Sequence, residues 1–191
     1  FVDRVALKTK LTALLVIPLL VMTFFAANSA LNRRSDASEA SDVRVLQELG
    51  VFAGNLLHET QKERGMTELY MTSQGTRFLS ELTAQREMTD ARLGELVEFV
   101  DDHSSAIPAS VSSQLDAALT ELESLESQRE VALSLGVETG AVIGYYTAAN
   151  GLFLDAISAA AAASNNAQLR GDASAYFAFL YAKDMTGIER A

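Results

Sequence analysis

The sequence predicts an all-α chain: a transmembrane helix followed by an antiparallel helical bundle. Three observations carry that prediction. No stretch shows the apolar–polar alternation of a β-strand, and two prolines in 191 residues leave long helices uninterrupted. The run from Leu11 to Ala27 carries no charge. Beyond it, apolar residues recur at steps of three and four, broken by short polar or glycine-containing turns.

Taken in order, residues 1–10 read as a cytoplasmic stub bearing Arg4, Lys8 and Lys10. Residues 11–31 reach the roughly 20 that cross a hydrocarbon core of about 30 Å. Arg33 and Arg34 follow, and Pro18 is compatible with a membrane helix. A cleaved signal peptide is the alternative, because small residues around Ala26–Ala30 could host a cleavage site. The length of the apolar run and the basic residues directly after it favour an uncleaved anchor. Residues 35–191 would then form an extracytoplasmic sensory domain at the inner membrane. The chain opens on Phe1 and closes in what reads as mid-helix, so that domain is expected to be truncated at its C-terminus.

Within the domain, the first long helix runs to about Thr72 without a breaker, and Gly75 marks a turn. A second covers roughly Arg77 to Asp102, followed by a loop in which Pro108 suits the first turn of the next helix. The third, Ala109 to about Leu135, has the clearest stripe: Val111, Leu115, Ala118, Leu122, Leu125 and Ala132. Glu121, Glu123, Glu126 and Glu130 occupy its other faces. Gly136 and Gly140 bracket a turn, and a weakly polar fourth helix spans Ala141–Ala163. Asn150, Asp155 and its glycines suit a buried bundle helix better than a second membrane span. Residues 164–171 read as a loop, and Asp172 as the N-cap of a fifth helix.

Composition narrows the function. A net charge of -10 argues against a nucleic-acid partner, which needs clustered Lys and Arg. The absence of cysteine removes disulfides, thiol catalysis and thiolate metal sites. Two histidines, His58 and His103, lack the Glu-x-x-His spacing of helical di-iron sites, and His103 in Asp101-Asp102-His103 reads as a helix end. Glycine-rich phosphate loops and nucleophile elbows are missing. The expectation is a non-enzyme without cofactor or metal.

The apolar stripes contain arginines. Continuing past Leu122 and Leu125 lands on Arg129; Leu79, Leu82, Leu93, Leu96 and Val100 share a face with Arg86. Arg64 lies seven residues after Leu57 and seven before Met71, and Tyr176 and Leu180 lead by the same spacing to Lys183, Gly187 and Arg190. A buried guanidinium costs several kcal/mol unless paired. Arginine suits planar oxyanions because its fork donates two parallel hydrogen bonds. One reading pairs each arginine with a nearby carboxylate such as Glu63, Glu87, Glu130 or Glu189; the other places an anion between helices. The adjacent acids are expected on neighbouring faces, which weakens the pairing reading for the set.

The run His58-Glu59-Thr60-Gln61-Lys62-Glu63-Arg64-Gly65-Met66-Thr67, with Tyr70 and Ser73, resembles the opening signature of nitrate- and nitrite-sensing (NIT) domains. Phe78, Leu82, Gln85, Arg86, Thr89 and Asp90 resemble the family's second helix. The closing Ala182-Lys183-Asp184-Met185-Thr186-Gly187-Ile188-Glu189-Arg190-Ala191 resembles its A-K-E-x-A-G-x-E-R-A segment, with Asp184 where Glu is usual. The likeness covers about Val43 to Ala191. It implies two stacked helical bundles that bind nitrate or nitrite through arginines between helices. By motif position, Arg64 and Arg190 are the ligand candidates; Arg129 and Arg86 rest on the stripes. A homodimer is implied by analogy with receptors. Two other classes stay open: a chemoreceptor-type bundle for an organic ligand, and a membrane-tethered scaffold with every arginine paired internally.

Overall fold

The computed structural model describes residues 7–163, 171, 175 and 178–182, except for the side chains of 7–20, 27 and 30–40. Every regular element among these residues is helical, as the apolar spacing predicts. The helices are α1 (Leu7–Thr72), α2 (Leu79–His103), α3 (Ala109–Leu122), α4 (Leu125–Ser134) and α5 (Thr139–Ala163), with a 3-10 turn at Ser104–Ala106. The chain divides into two compact units, Phe1–Ser41 and Asp42–Ala191.

In the first unit the backbone of the apolar run is helical, and Val21–Ala26, Asn28 and Ser29 are exposed. The side chains of residues 11–20, which carry most of the expected membrane segment, lie outside the described residues. Among the described residues, no helix is long and apolar enough to cross a membrane.

In the second unit the last part of α1 packs antiparallel to α2. Phe52 stacks on Phe99 at 4.7 Å, and further along Gln85 reaches Glu59 at 2.6 Å. Helix α5 also runs antiparallel to α1, with Asn150 opposite Thr60 and Tyr146 opposite Glu63. The intervening α3 and α4 complete an up-and-down arrangement of helices. The apolar interior is continuous from Val45, Leu46, Leu49 and Leu56 of α1 to Leu96 and Phe99 of α2, Val111, Leu115 and Ala118 of α3, and Phe153 of α5. A fully buried leucine such as Leu56, Leu82 or Leu96 stabilises the fold by about 1.5–3 kcal/mol.

The turns show where residue type and backbone agree. Helix α1 ends in a Schellman arrangement: Gly75 N–H bonds to Tyr70 C=O at 3.1 Å, and Gln74 N–H to Met71 C=O at 2.9 Å. Gln74 and Gly75 both adopt positive φ, 53° and 70°. A Cβ on Gly75 would lie 3.1 Å from the Tyr70 hydroxyl and 3.2 Å from Leu135 Cδ1, so glycine is needed there for space as well as for φ.

Four local expectations are corrected. The third helix is two, α3 and α4, parted at Glu123–Ser124. That break needs no glycine or proline, because Glu123 and Ser124 bond back to Thr120 and Glu121 in a tightened i→i+3 turn. Leu125 and Ala132 therefore stay buried on the stripe begun by Val111. The turn expected between Gly136 and Gly140 begins one residue earlier, at Leu135, which ends α4 with φ 54°. Pro108 is the extended N-cap of α3 rather than a residue of its first turn. Leu79, expected inside, is half exposed at the start of α2. His103 closes α2 as expected: its Nδ1 lies 2.9 Å from Phe99 C=O and its ring stacks on Phe99. The expected loop at 164–171 falls outside the described residues except Gly171, which is helical; Asp172 also falls outside them.

Candidate functional site

Along α1 the buried face changes character. It is apolar from Val45 to Leu57, polar at Glu59, Thr60, Glu63, Arg64 and Thr67, and apolar again at Tyr70 and Met71. The other buried polar side chains among the described residues, Gln85, Thr89, Arg129 and Asn150, belong to α2, α4 and α5. Buried polar groups must be matched with partners, so a section this concentrated is either a lock or a site.

Its centre is Glu63, which is fully buried. Oε1 accepts from Arg129 Nε at 2.7 Å and from the Tyr146 hydroxyl at 2.8 Å, while Oε2 accepts from Arg129 Nη2 at 2.9 Å. This is the two-pronged geometry that suits guanidinium and carboxylate best. Arg129 Nη2 also meets Asp90 at 2.8 Å, and Nη1 meets Glu126 at 3.3 Å, both carboxylates more than half exposed. Arg86 brings a second cation: its Nε stands 3.8 Å from Glu63 Oε1, and its Nη2 donates to Arg129 C=O at 3.3 Å. Burial opposes the charge on Arg129, yet the hydrogen bonds to Glu63 and Asp90 outweigh it and hold the guanidinium more firmly protonated than usual. Burial, with the Glu63 charge beside it, pushes the Tyr146 hydroxyl well above the ordinary phenol range, so Tyr146 stays a donor.

Arg64 follows Glu63 on α1 and turns toward another part of α5. It is 3% exposed, and its Nη1 donates to Thr147 Oγ1 at 3.2 Å. Thr147 donates its own hydroxyl proton to Ile143 C=O, four residues back, at 2.9 Å. Glu68, one turn along from Arg64, has its carboxyl pushed up by burial while Arg64 pulls it down. A neighbouring layer joins Glu59 to Gln85 at 2.6 Å and to Lys62 at 2.7 Å, and brings Thr60 to Asn150 at 2.6 Å. Burial works against the Glu59 charge, but the Gln85 and Lys62 hydrogen bonds hold its carboxyl below the usual carboxylate range.

The structure therefore brings Arg86 and Arg129 together on one carboxylate and sets Arg64 beside them, facing Thr147. Arg190, with Lys183, Asp184, Gly187 and Glu189, lies outside the described residues. Arg129 and Arg86 point inward as the stripes predict, but Glu63, expected on a neighbouring face, is the acid that receives both. The signal for it was available. Glu63 stands seven residues after Leu56 and seven before Tyr70, as Arg64 stands between Leu57 and Met71. Of the other acids named as partners, Glu87 and Glu130 are exposed and Glu189 lies outside the described residues. Tyr146 and Thr147 carried no signal, since a tyrosine or threonine on an apolar helix reads as packing.

The fold and this geometry can be set beside known proteins. No curated protein matches the chain. The solved structure of the NasR transcription antiterminator superposes with a TM-score of 0.74 at 20% identity, over 89% of this chain and 45% of that one. At that identity the likeness is one of fold, and this chain spans less than half of the solved one. The family described as "Nitrate and nitrite sensing" matches residues 55–191, which take in the polar section of α1 and everything after it. The chain belongs to the nitrate- and nitrite-sensing (NIT) family.

Proposed function

We infer that this chain is the ligand-binding region of a bacterial transmembrane signal-transduction receptor and that it recognises nitrate or nitrite. The observation that carries the reading is Arg64: a buried guanidinium on the inward face of α1, inside the family match, held across the bundle by Thr147. A cation in such a place binds a small planar anion at modest desolvation cost, because much of its hydration is already gone. Arg190 is assigned as its companion from the closing motif. Arg129 is assigned to the clamp on Glu63, which commits its Nε–Nη2 edge, and Arg86 to a looser place beside it at 3.8 Å, with its buried Nε making no hydrogen bond. The protein is read as a non-enzyme that needs no cofactor and acts as a homodimer.

The membrane context is part of the same proposal. The uncharged run from Leu11 to Ala27, flanked by Arg4, Lys8 and Lys10 and by Arg33 and Arg34, supports an anchor with the domain outside the cytoplasm. A structural scaffold is the second reading, favoured by the internal pairing of Arg129. Calorimetric titration of the full-length protein with nitrate, nitrite and chloride separates them. Saturable nitrate or nitrite binding that Arg64→Ala removes while the variant stays folded is the expected result. Indifference of the folded wild type to all three salts would overturn the sensor reading.

A further inference from the structure

Two consecutive residues of α1 meet two consecutive residues of α5. Glu63 accepts from Tyr146 at 2.8 Å and Arg64 donates to Thr147 at 3.2 Å. Neighbours on a helix are turned by about 100° from each other, so the two contacts cannot both survive a rotation of either helix. Together they fix the facing angle and the height of α1 against α5.

The Thr147 contact also has a fixed polarity. A hydroxyl has one proton, and here it goes to Ile143 C=O at 2.9 Å. The oxygen can then only accept, and Arg64 Nη1 is the donor that it accepts from. A threonine bonded back to its own helix is thus a preset acceptor, held by a β-branched side chain with few rotamers. We propose that Thr147 is a positioning residue of the anion site: its hydroxyl holds the Nη1 end of the Arg64 guanidinium in place before the anion arrives. The inference rests on the sensor reading for its ligand but not for its geometry. Pre-orientation matters because a planar anion gains its second hydrogen bond only when the fork already faces it.

The test uses three variants of the full-length protein. Thr147→Val keeps the shape and removes the hydroxyl, Thr147→Ser keeps the hydroxyl, and Thr147→Ala serves if the valine protein fails to fold. Two readouts are taken: nitrate and nitrite affinity by calorimetry, and the Arg64 Nε–H signal in arginine-labelled NMR spectra, identified by its loss in Arg64→Ala. The valine variant should bind about three- to tenfold more weakly, the scale of one lost hydrogen bond, and serine should restore binding. The Arg64 signal should be sharp in the wild type and the serine variant, and shifted or broadened in the valine variant. An unchanged Arg64 signal in the valine or alanine variant would overturn the proposal, as would wild-type affinity in a protein that binds nitrate. If the wild type binds no anion, the sensor reading fails, and the Arg64 signal alone decides the positioning claim.

Discussion

Two arginines on this bundle are almost equally hidden, Arg129 at 5% exposure and Arg64 at 3%, yet their surroundings differ in kind. Arg129 is gripped on its Nε and Nη2 edge by the buried carboxylate of Glu63, with Asp90 also at Nη2 and Glu126 at Nη1. Arg64 meets the neutral hydroxyl of Thr147 on α5. The first arrangement is a closed ion pair, which fixes helices. In the second, a neutral hydroxyl accepts from Nη1 across the bundle, while Glu68, one turn along the same helix, feels the charge without a carboxylate gripping the fork from α5. Burial of an arginine therefore says little about its task, and the charge of what faces it says much more.

The largest effect that tests this contrast is the loss of Arg129. Arg129→Ala strands the Glu63 carboxylate in the interior and should cost about 3–5 kcal/mol in denaturant unfolding. Arg64→Ala should cost visibly less stability while removing anion binding. Equal losses from the two would erase the distinction drawn here. Tyr146→Phe comes next. It deletes one of three hydrogen bonds to Glu63 at constant shape, and should lower stability by about 1 kcal/mol. A loss near that of Arg129→Ala would make Tyr146, rather than the arginine, the chief partner of Glu63.

The smallest effect concerns pH. The Glu59 carboxyl is held below its ordinary value of 4.5, so the unfolded chain takes up the proton first as acid is added. Its contribution to stability is complete above about pH 4.5 and is lost as pH falls through the lower folded value. In Glu59→Gln, thermal unfolding followed below pH 4.5 should therefore fall less steeply with acid than in the wild type. Identical slopes would show that Gln85 and Lys62 do not hold that charge.

Much of the bundle could be read from spacing, because a stripe of apolar residues reports which side of a helix faces inward whatever the partner is. That is why Leu115, Leu122, Arg129 and Ala132 fall where the pattern puts them, even across the unexpected break at Glu123–Ser124. The same rule applied to Glu63 would have placed it inside, between Leu56 and Tyr70. An acid adjacent in sequence to an inward arginine is expected on a neighbouring face, and here the buried face of α1 is wide enough to hold both. What periodicity could not supply is pairing across the bundle. Nothing in the sequence says that the acid of α1 meets the arginine of α4 rather than one on its own helix, since that depends on helix heights set by the turns. The positive φ at Leu135 was hidden for a related reason: the glycine signal at Gly136 locates a turn, but hydrogen bonding chooses the residue that bends.

The distances along the chain between the partners of the polar section have a consequence for synthesis. Glu63 and Arg129 are 66 residues apart, Arg64 and Thr147 are 83, and Thr60 and Asn150 are 90. A chain emerging from its N-terminus carries the polar face of α1 long before the residues that will cover it exist. During that interval Glu63 and Arg64 stand in water, where charge keeps a half-made amphipathic helix from sticking to its neighbours. Glu63 can meet Arg86 and Arg129 once α2 and α4 exist, but Tyr146 and Thr147 reach Glu63 and Arg64 only when α5 has been made.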